Sequence, residues 1–299
     1  MKRILIAGGS GFIGRNLVHH LKKEGYFVIL LSRTPRLING YDQVITWDEI
    51  IPEQIATFDV VINLCGYGIS EKKWSPQIKN KIVNSRVETT EYLIKLIGDN
   101  DIWLINASAI GFYPFSFKLQ NEDNIEVLSK HNTGFCQYIA KQWEAVVIGS
   151  RLRRKTILRF GVVLGKGGML NQLLSSVKMG MGARIGDGQQ LMSWVHINDL
   201  CRALLFLLTI DAVNTTFNIV APNACTQAKF MRILCQKMNK RQWFVIPKFM
   251  VKLMFGQMGN ELLLASHCIE PKRLQNLEFK FIYPTIELAL ESIVKETQT

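Results

Sequence analysis

The chain has 299 residues, 48% of them hydrophobic and 20% charged, which is ordinary globular composition with enough length for a full core and a second lobe. The formal net charge of +12 is spread along the chain. Its densest cluster, "RLRRK" at 151–155, falls between a helix and a strand, where helix-end contacts account for it, so no nucleic-acid partner is expected. The six cysteines form no Cys-x-x-Cys pair and the five histidines show no ligand spacing, which argues against a disulfide framework or a metal site. No apolar run reaches the roughly 20 residues of a membrane span, and "MKRILIAGG" enters a strand without a leader-like apolar stretch. A cytoplasmic protein with no membrane partner is expected, as a monomer or a homodimer.

Through the first 165 residues, apolar strand-like runs alternate with amphipathic helical stretches. Strands are expected at 3–7, 27–31, 43–47, 59–64, 102–108 and 156–164, and helices near 12–24, 75–97 and 134–150. That alternation predicts a doubly wound parallel sheet covered on both faces, with its ligand crevice at the carboxyl ends of the strands. Past Gly165 come glycine-rich loops, "GKGG" at 165–168 and "GMGARIGDGQQ" at 180–190, then a strand at 215–221 and a largely helical tail. The division predicted is an α/β domain over 1–221, with 166–195 contributing to a substrate lobe, and a smaller, mostly helical C-terminal lobe over 222–299. The Met and Phe stripe of "PKFMVKLMFG" is expected to pack as core or as a substrate lid.

"ILIAGGSGFIG" places Gly8, Gly11 and Gly14 directly after the first strand and into the first helix. Glycine is needed there for a tight turn, for close approach of backbone N–H groups to a pyrophosphate, and for helix–sheet contact. A Rossmann-type dinucleotide site follows. The second strand ends in Ser32 and Arg33, where an NAD-preferring site would carry a carboxylate, and Arg15 stands at the start of the first helix. A hydroxyl and guanidinium at that place favour the 2′-phosphate of NADP(H).

With "GGSGFIG" at 8–14, "SRTP" at 32–35, "INLCGYGIS" at 62–70, "NSRVETT" at 84–90, "ASAIGFY" at 107–113, "RFGVVLGKGGML" at 159–170, "GDGQQLMSWVHINDL" at 186–200 and the tail "IEPKRLQNLEFKFIYPTIELAL", the chain resembles the extended short-chain dehydrogenase/reductases. Within them it resembles an epimerase-like family that ends in a small domain of unknown function. The resemblance implies cofactor contacts from Gly8, Gly11, Phe12, Ile13, Gly14 and Arg15, from Ser32 and Arg33, from Leu64 and Gly66, and from Ala107. It also implies that Ser108 orients a substrate carbonyl.

The superfamily's proton-transfer pair, a Tyr four residues before a Lys, is missing. With "WE" at 143–144 setting the register, the Tyr position falls on Cys136 and the Lys position on Ala140. Tyr138 and Lys141 imitate the pair, yet Tyr138 lies about 160° around the helix from Cys136. Cys136 itself reads as an inert small hydrophobe. Tyr113, five residues beyond Ser108, is the candidate proton donor in its place, with simple aromatic packing as the other reading. After "GDG", where relatives that handle nucleotide sugars carry an Arg, Met192 and Ser193 stand, which speaks against a nucleotide sugar. His196 reads as a helix cap or core residue. Two functions remain open. One is an NADP(H)-dependent oxidoreductase or epimerase-like enzyme acting on an unknown small carbonyl or hydroxyl substrate, with hydride passing at C4 of the nicotinamide. The other is a non-catalytic NADP(H)-binding sensor.

Overall fold

Both faces of the first strand are buried: Ile4 and Ile6 enter one core, Leu5 and Ala7 the other, which is why its sequence is apolar without alternation. The computed structural model describes residues 2–36, 38–123 and 134–298. The first half runs β1 (Arg3–Ala7), α1 (Phe12–Lys23), β2 (Phe27–Ser32), β3 (Gln43–Thr46), α2 (Pro52–Ile55), β4 (Val60–Asn63), α3 (Pro76–Ile97), β5 (Trp103–Ala109), β6 (Ser116–Gln120), α4 (Phe135–Ile148) and β7 (Arg154–Phe160). The second continues with β8 (Val162–Leu164), α5 (Gly168–Lys178), β9 (Ala183–Ile185), β10 (Leu191–Met192), β11 (Trp194–His196), α6 (Ile197–Thr209) and β12 (Thr215–Ile219). It ends with β13 (Cys225–Thr226), α7 (Gln227–Lys237), β14 (Phe244–Ile246), α8 (Lys248–Gly259), β15 (His267–Ile269), α9 (Lys272–Asn276) and α10 (Ile286–Gln298).

Seven strands form one parallel sheet in the order β12-β7-β5-β4-β1-β2-β3. Chain order reverses between β1 and β4, where Ala7 pairs with Asn63, so the crevice for a ligand opens at the loops that follow these two strands. Leu17, Val18 and Leu21 of α1 pack with Leu200, Leu204 and Leu207 of α6 over one face, while Leu93, Leu96 and Ile97 of α3 and Val147 of α4 cover the other.

The run at 156–164 is two strands rather than one. At Gly161 a Cβ would fall 2.8 Å from a Val220 methyl and 2.9 Å from the Ser193 carbonyl, so only glycine fits where the chain turns away. Gly161 N–H donates to Ile219 and Val162 N–H to Ser193, and β8 then leaves the main sheet to pair with β11.

The second lobe interleaves distant segments. β9 pairs with β14, β10 with β13 and β6 with β15; Leu170, Leu174, Trp194, Phe230, Leu234, Ile286 and Leu290 form the lobe's core, and Ile269 of β15 joins a smaller cluster with Ile110, Tyr113 and Val220. The tail also returns to the first domain: Leu274 and Phe279 enter the core beside β12 and α6. The buried Asp199 carboxylate accepts N–H bonds from Ile282 (2.9 Å) and Tyr283 (2.8 Å). The stripe on α8 does not pack as core. Val251 is buried, but Phe249 and Leu253 are 67% and 83% exposed, because the helix is held by one side and its far end alone.

His196 caps α6, its Nδ1 accepting from Asn198 N–H at 3.2 Å, and its Nε2 is buried without a partner among the described residues. Burial holds this imidazole at about 4, below its ordinary 6.5. Since the unfolded chain takes up the proton first, the His196 contribution to stability is complete above pH 6.5 and is lost as pH falls towards 4. The His196→Asn variant keeps a cap acceptor without the titration. It is expected to lose on the order of 3 kcal/mol less stability across that interval than the parent, as read from urea unfolding.

Candidate functional site: a dinucleotide cleft at the β1–β4 switch point

Directly after β1 the chain turns at Gly8 (φ 74°), whose backbone meets the end of β4. A Cβ there would lie 2.8 Å from Leu64 C and Cys65 N. Gly11 closes the turn through its N–H to Gly8 O (3.1 Å) and stands as the cap of α1. Gly14 lies against the loop, with a Cβ predicted 2.4 Å from Gly9 Cα. No acidic residue occupies the first turn of α1 and no side chain caps it among the described residues, so its first N–H groups and positive dipole end stand open at the crevice. These are the features a pyrophosphate requires. Phe12 and Ile13 are half-buried at the start of α1, and the loop at 165–168 packs onto the Phe12 ring. Arg15 is exposed and its Nε donates to Ser10 O at 2.7 Å.

Tyr41, which the sequence did not single out, holds this loop from beneath. It is 6% exposed, and its hydroxyl lies 2.9 Å from Gly9 O and 3.2 Å from Gly14 O. A tyrosine just before β3 could have been suspected only from a knowledge of which loop it packs under.

At the end of β2, the Ser32 hydroxyl accepts from Thr34 N–H (3.3 Å), shaping the turn that carries Arg33. Arg33 is exposed, makes no ion pair among the described residues, and shares a shallow cavity with Trp47, Asp48 and Thr89. The loop after β4 is set by a buried amide. The Asn63 side chain donates to Thr90 (2.9 Å) and Asn106 (2.8 Å) and accepts from Cys65 N–H (3.1 Å). Thr90 in turn accepts from the Trp143 indole at 3.0 Å, so β4, β5, α3 and α4 share one network beneath Leu64 and Gly66. Ala107 is buried at the next strand, immediately before Ser108.

Ser108 sits at the end of β5, 3% exposed, and donates its proton to Glu144 Oε1 at 2.6 Å. Glu144 is bound on both oxygens by Arg159, through Nε and one terminal nitrogen, each at 2.8 Å. Burial opposes the Arg159 charge, but Glu144 more than restores it, and the guanidinium is held above its ordinary value. The same guanidinium donates to the Tyr113 hydroxyl (2.9 Å), which itself donates to Asn218 (3.0 Å). Tyr113 is 1% exposed, and burial raises its phenol above the ordinary value despite Arg159. The candidate proton donor is therefore sealed into the interior with its single O–H spent, and the aromatic-packing reading describes it better. Ser193 is similarly consumed, bonding His267 O and Ile269 N–H in the second lobe.

On α4, Cys136 and Ala140 are buried (8% and 2% exposed) while Tyr138 is 49% exposed on the opposite side, as helix geometry requires. Cys136 lies against Gly111, three residues past Ser108. Two charged residues close around it that sequence reading passed over. The Glu261 carboxylate, from the turn after α8, accepts from the first N–H groups of α4, Phe135 at 2.9 Å and Cys136 at 2.8 Å. The Arg86 guanidinium, from α3, lies on Gly66 and over the Trp143 ring at 5.2 Å. Burial, reinforced by Glu261, pushes the Cys136 thiol well above its ordinary value, and burial alone lifts Cys65 to about 12 against the pull of Arg33.

The fold and loop together define a dinucleotide-binding protein of the Rossmann type. Residues 4–220 match the model of the NAD dependent epimerase/dehydratase family, and 246–293 match a domain of unknown function, DUF1731. The chain belongs to that epimerase/dehydratase family. An epimerase family protein of Staphylococcus aureus is 33% identical over 99% of this chain and all of its own length. The human epimerase family protein SDR39U1 is 30% identical over 98% of this chain and 99% of its own. The crystal structure of that human protein with NADPH superposes with a TM-score of 0.86, covering 98% of this chain and 99% of the other. A nucleoside-diphosphate sugar epimerase from Corynebacterium glutamicum superposes at 0.75 with 26% identity, over 98% of this chain and 58% of its own.

Because the thiolate is the nucleophile, Cys65 and Cys136 are expected to resist iodoacetamide at about pH 8 in the folded protein and to react once urea is added. Peptide mass spectrometry of the modified protein reads the difference. Tyr41→Phe is expected to lower stability by about 1 kcal/mol through loss of the bond to the glycine loop, measured by urea unfolding.

Proposed function

We propose that the chain is an NADP(H)-dependent oxidoreductase or epimerase-like enzyme of the extended short-chain type, acting on a small carbonyl or hydroxyl compound. The observation that carries the reading is the pairing of an acid-free α1 N-terminus at the switch point with an exposed, unneutralised Arg33 at the end of β2. NADPH bound to the human relative supports it. The nicotinamide, when bound, supplies the hydride exchange.

The chain's own residues bind and orient. Gly8, Gly11 and Gly14 allow the backbone amides to face a pyrophosphate, and Arg33 with Ser32 receives the 2′-phosphate. Ser108, its proton held by Glu144, offers lone pairs to a substrate hydroxyl, and it reaches a carbonyl as a donor only by turning away from Glu144. With Tyr113 committed inside, the proton is relayed by water at the cleft. Ser193 where a phosphate-clamping Arg would stand disfavours nucleotide sugars as substrates.

A second reading, a non-catalytic NADP(H) sensor, is favoured by the burial of Cys136 and Ala140 at the proton-transfer positions. A turnover screen with quinones, aldehydes, ketones and UDP-sugars separates the two. Turnover that falls at least tenfold in Ser108→Ala supports the enzyme, and tight cofactor binding with no turnover across the panel supports the sensor. Arg33→Ala is expected to weaken NADPH about tenfold or more while leaving NADH within about twofold, by fluorescence titration. Equal affinity for NADH and NADPH in the parent protein would remove the role assigned to Arg33.

A further inference from the structure

Arg86 is a charged group at this cleft that the proposed function leaves without a task. It projects from α3 into the space between the β4 loop and α4. One terminal nitrogen donates to Tyr67 O (3.0 Å) and Ile82 O (2.9 Å). The rest of the guanidinium lies across Gly66, where a Cβ would come within 2.9 Å of Cζ, 3.0 Å of the second terminal nitrogen and 3.2 Å of Nε. It also lies over the Trp143 ring of α4, its Cζ 5.2 Å from the centroid. Among the described residues it has no carboxylate partner. Burial lowers it to about 10, the mark of a cation kept from water without an anion to offset the cost.

Strand order says what arrives there. A dinucleotide laid across the switch point has its 2′-phosphate half at β2, by Arg33, and its pyrophosphate at the turn after β1. Continuing in the same direction, its other half lies over the loops after β4 and β5, at Gly66 and Ser108. We propose that Arg86 is the binding contact for the ribose of the cofactor's nicotinamide half, its Nε and second terminal nitrogen donating to the sugar hydroxyls. The contact supplies from α3 a cation that α4, with the buried Ala140 at the lysine position, does not carry. Because Gly66 lacks a side chain, the guanidinium can lie against the loop backbone at the place where the sugar would stand. Arg86 is a positioning residue: it sets where the nicotinamide ring stands relative to Ser108.

The inference rests on the NADP(H) reading and is tested apart from it with two ligands, NADPH and adenosine 2′,5′-bisphosphate, which lacks the nicotinamide half. By calorimetry, Arg86→Met should weaken NADPH about tenfold, equivalent to about 1.4 kcal/mol, and leave the bisphosphate within about twofold. Arg86→Lys should recover most of the loss, which a packing role would not predict. Arg33→Ala should weaken both ligands. NADPH binding unchanged in Arg86→Met, equal loss of both ligands, or no recovery in Arg86→Lys overturns the proposal. Should Arg86→Met fail to fold, Arg86→Gln, which keeps donors for the Tyr67 carbonyl, is judged by the same pattern. A parent protein that binds neither ligand defeats the NADP(H) reading, and this inference with it.

Discussion

The bidentate ion pair between Glu144 and Arg159 organises the carboxyl end of the sheet. It joins α4 to β7, receives Ser108 from β5, and extends through Tyr113 to Asn218 of β12. Both partners are almost wholly buried, at 1% and 8% side-chain exposure. Desolvation of two charges cancels much of their attraction, so the pair contributes more to placement than to net stability. Loss of either member would strand the other in the interior, which makes the arrangement hard to relax. Ser108 is accordingly held in one orientation before any substrate arrives.

A second polar layer does for the cofactor side what this pair does for the substrate side. Asn63, Asn106, Thr90 and the Trp143 indole satisfy one another beneath the β4 loop, and Tyr41 supports the glycine turn on the opposite flank. Each member is buried, so an unpaired atom would cost more than the bond gains. The cleft thus has rigid walls made of hydrogen bonds and a floor made of glycine backbone. The first turn of α1 brings its positive dipole end to it, Arg86 lies against Gly66 in the β4 loop, and Glu261 closes the N-terminus of α4 with a carboxylate from the second lobe.

That last contact explains why the lobes cannot be separated by cutting the chain at a single point. Glu261 reaches back to Phe135 and Cys136, β15 to β6, β14 to β9, and residues 282–283 to Asp199. The main sheet ends at Ile219, and the core of the second lobe combines Leu164, Leu170, Leu174, Val177 and Trp194 with residues beyond 220.

Local sequence determined the alternation of strand and helix, the parallel sheet, and the glycine turn at 8–14, because each depends on periodicity or on residues adjacent in the chain. Helix geometry was also enough to turn Tyr138 outward and Cys136 inward. What the tertiary structure alone decided are the partners of single side chains. Tyr113 looked available on a loop, yet Asn218, more than a hundred residues away, accepts its hydrogen bond. Arg86 and Glu261 carried no signal in the sequence, and only the packing of α3 and of the turn after α8 against α4 gives them their partners there, the Trp143 ring and the Phe135 and Cys136 N–H groups. The apolar stripe of α8 was expected as core or as a substrate lid, and the fold left most of it in solvent rather than in the core. Periodicity states which face a helix could bury, whereas the neighbours that bury it, and the hydrogen bonds a buried group must find, come from segments far apart in sequence.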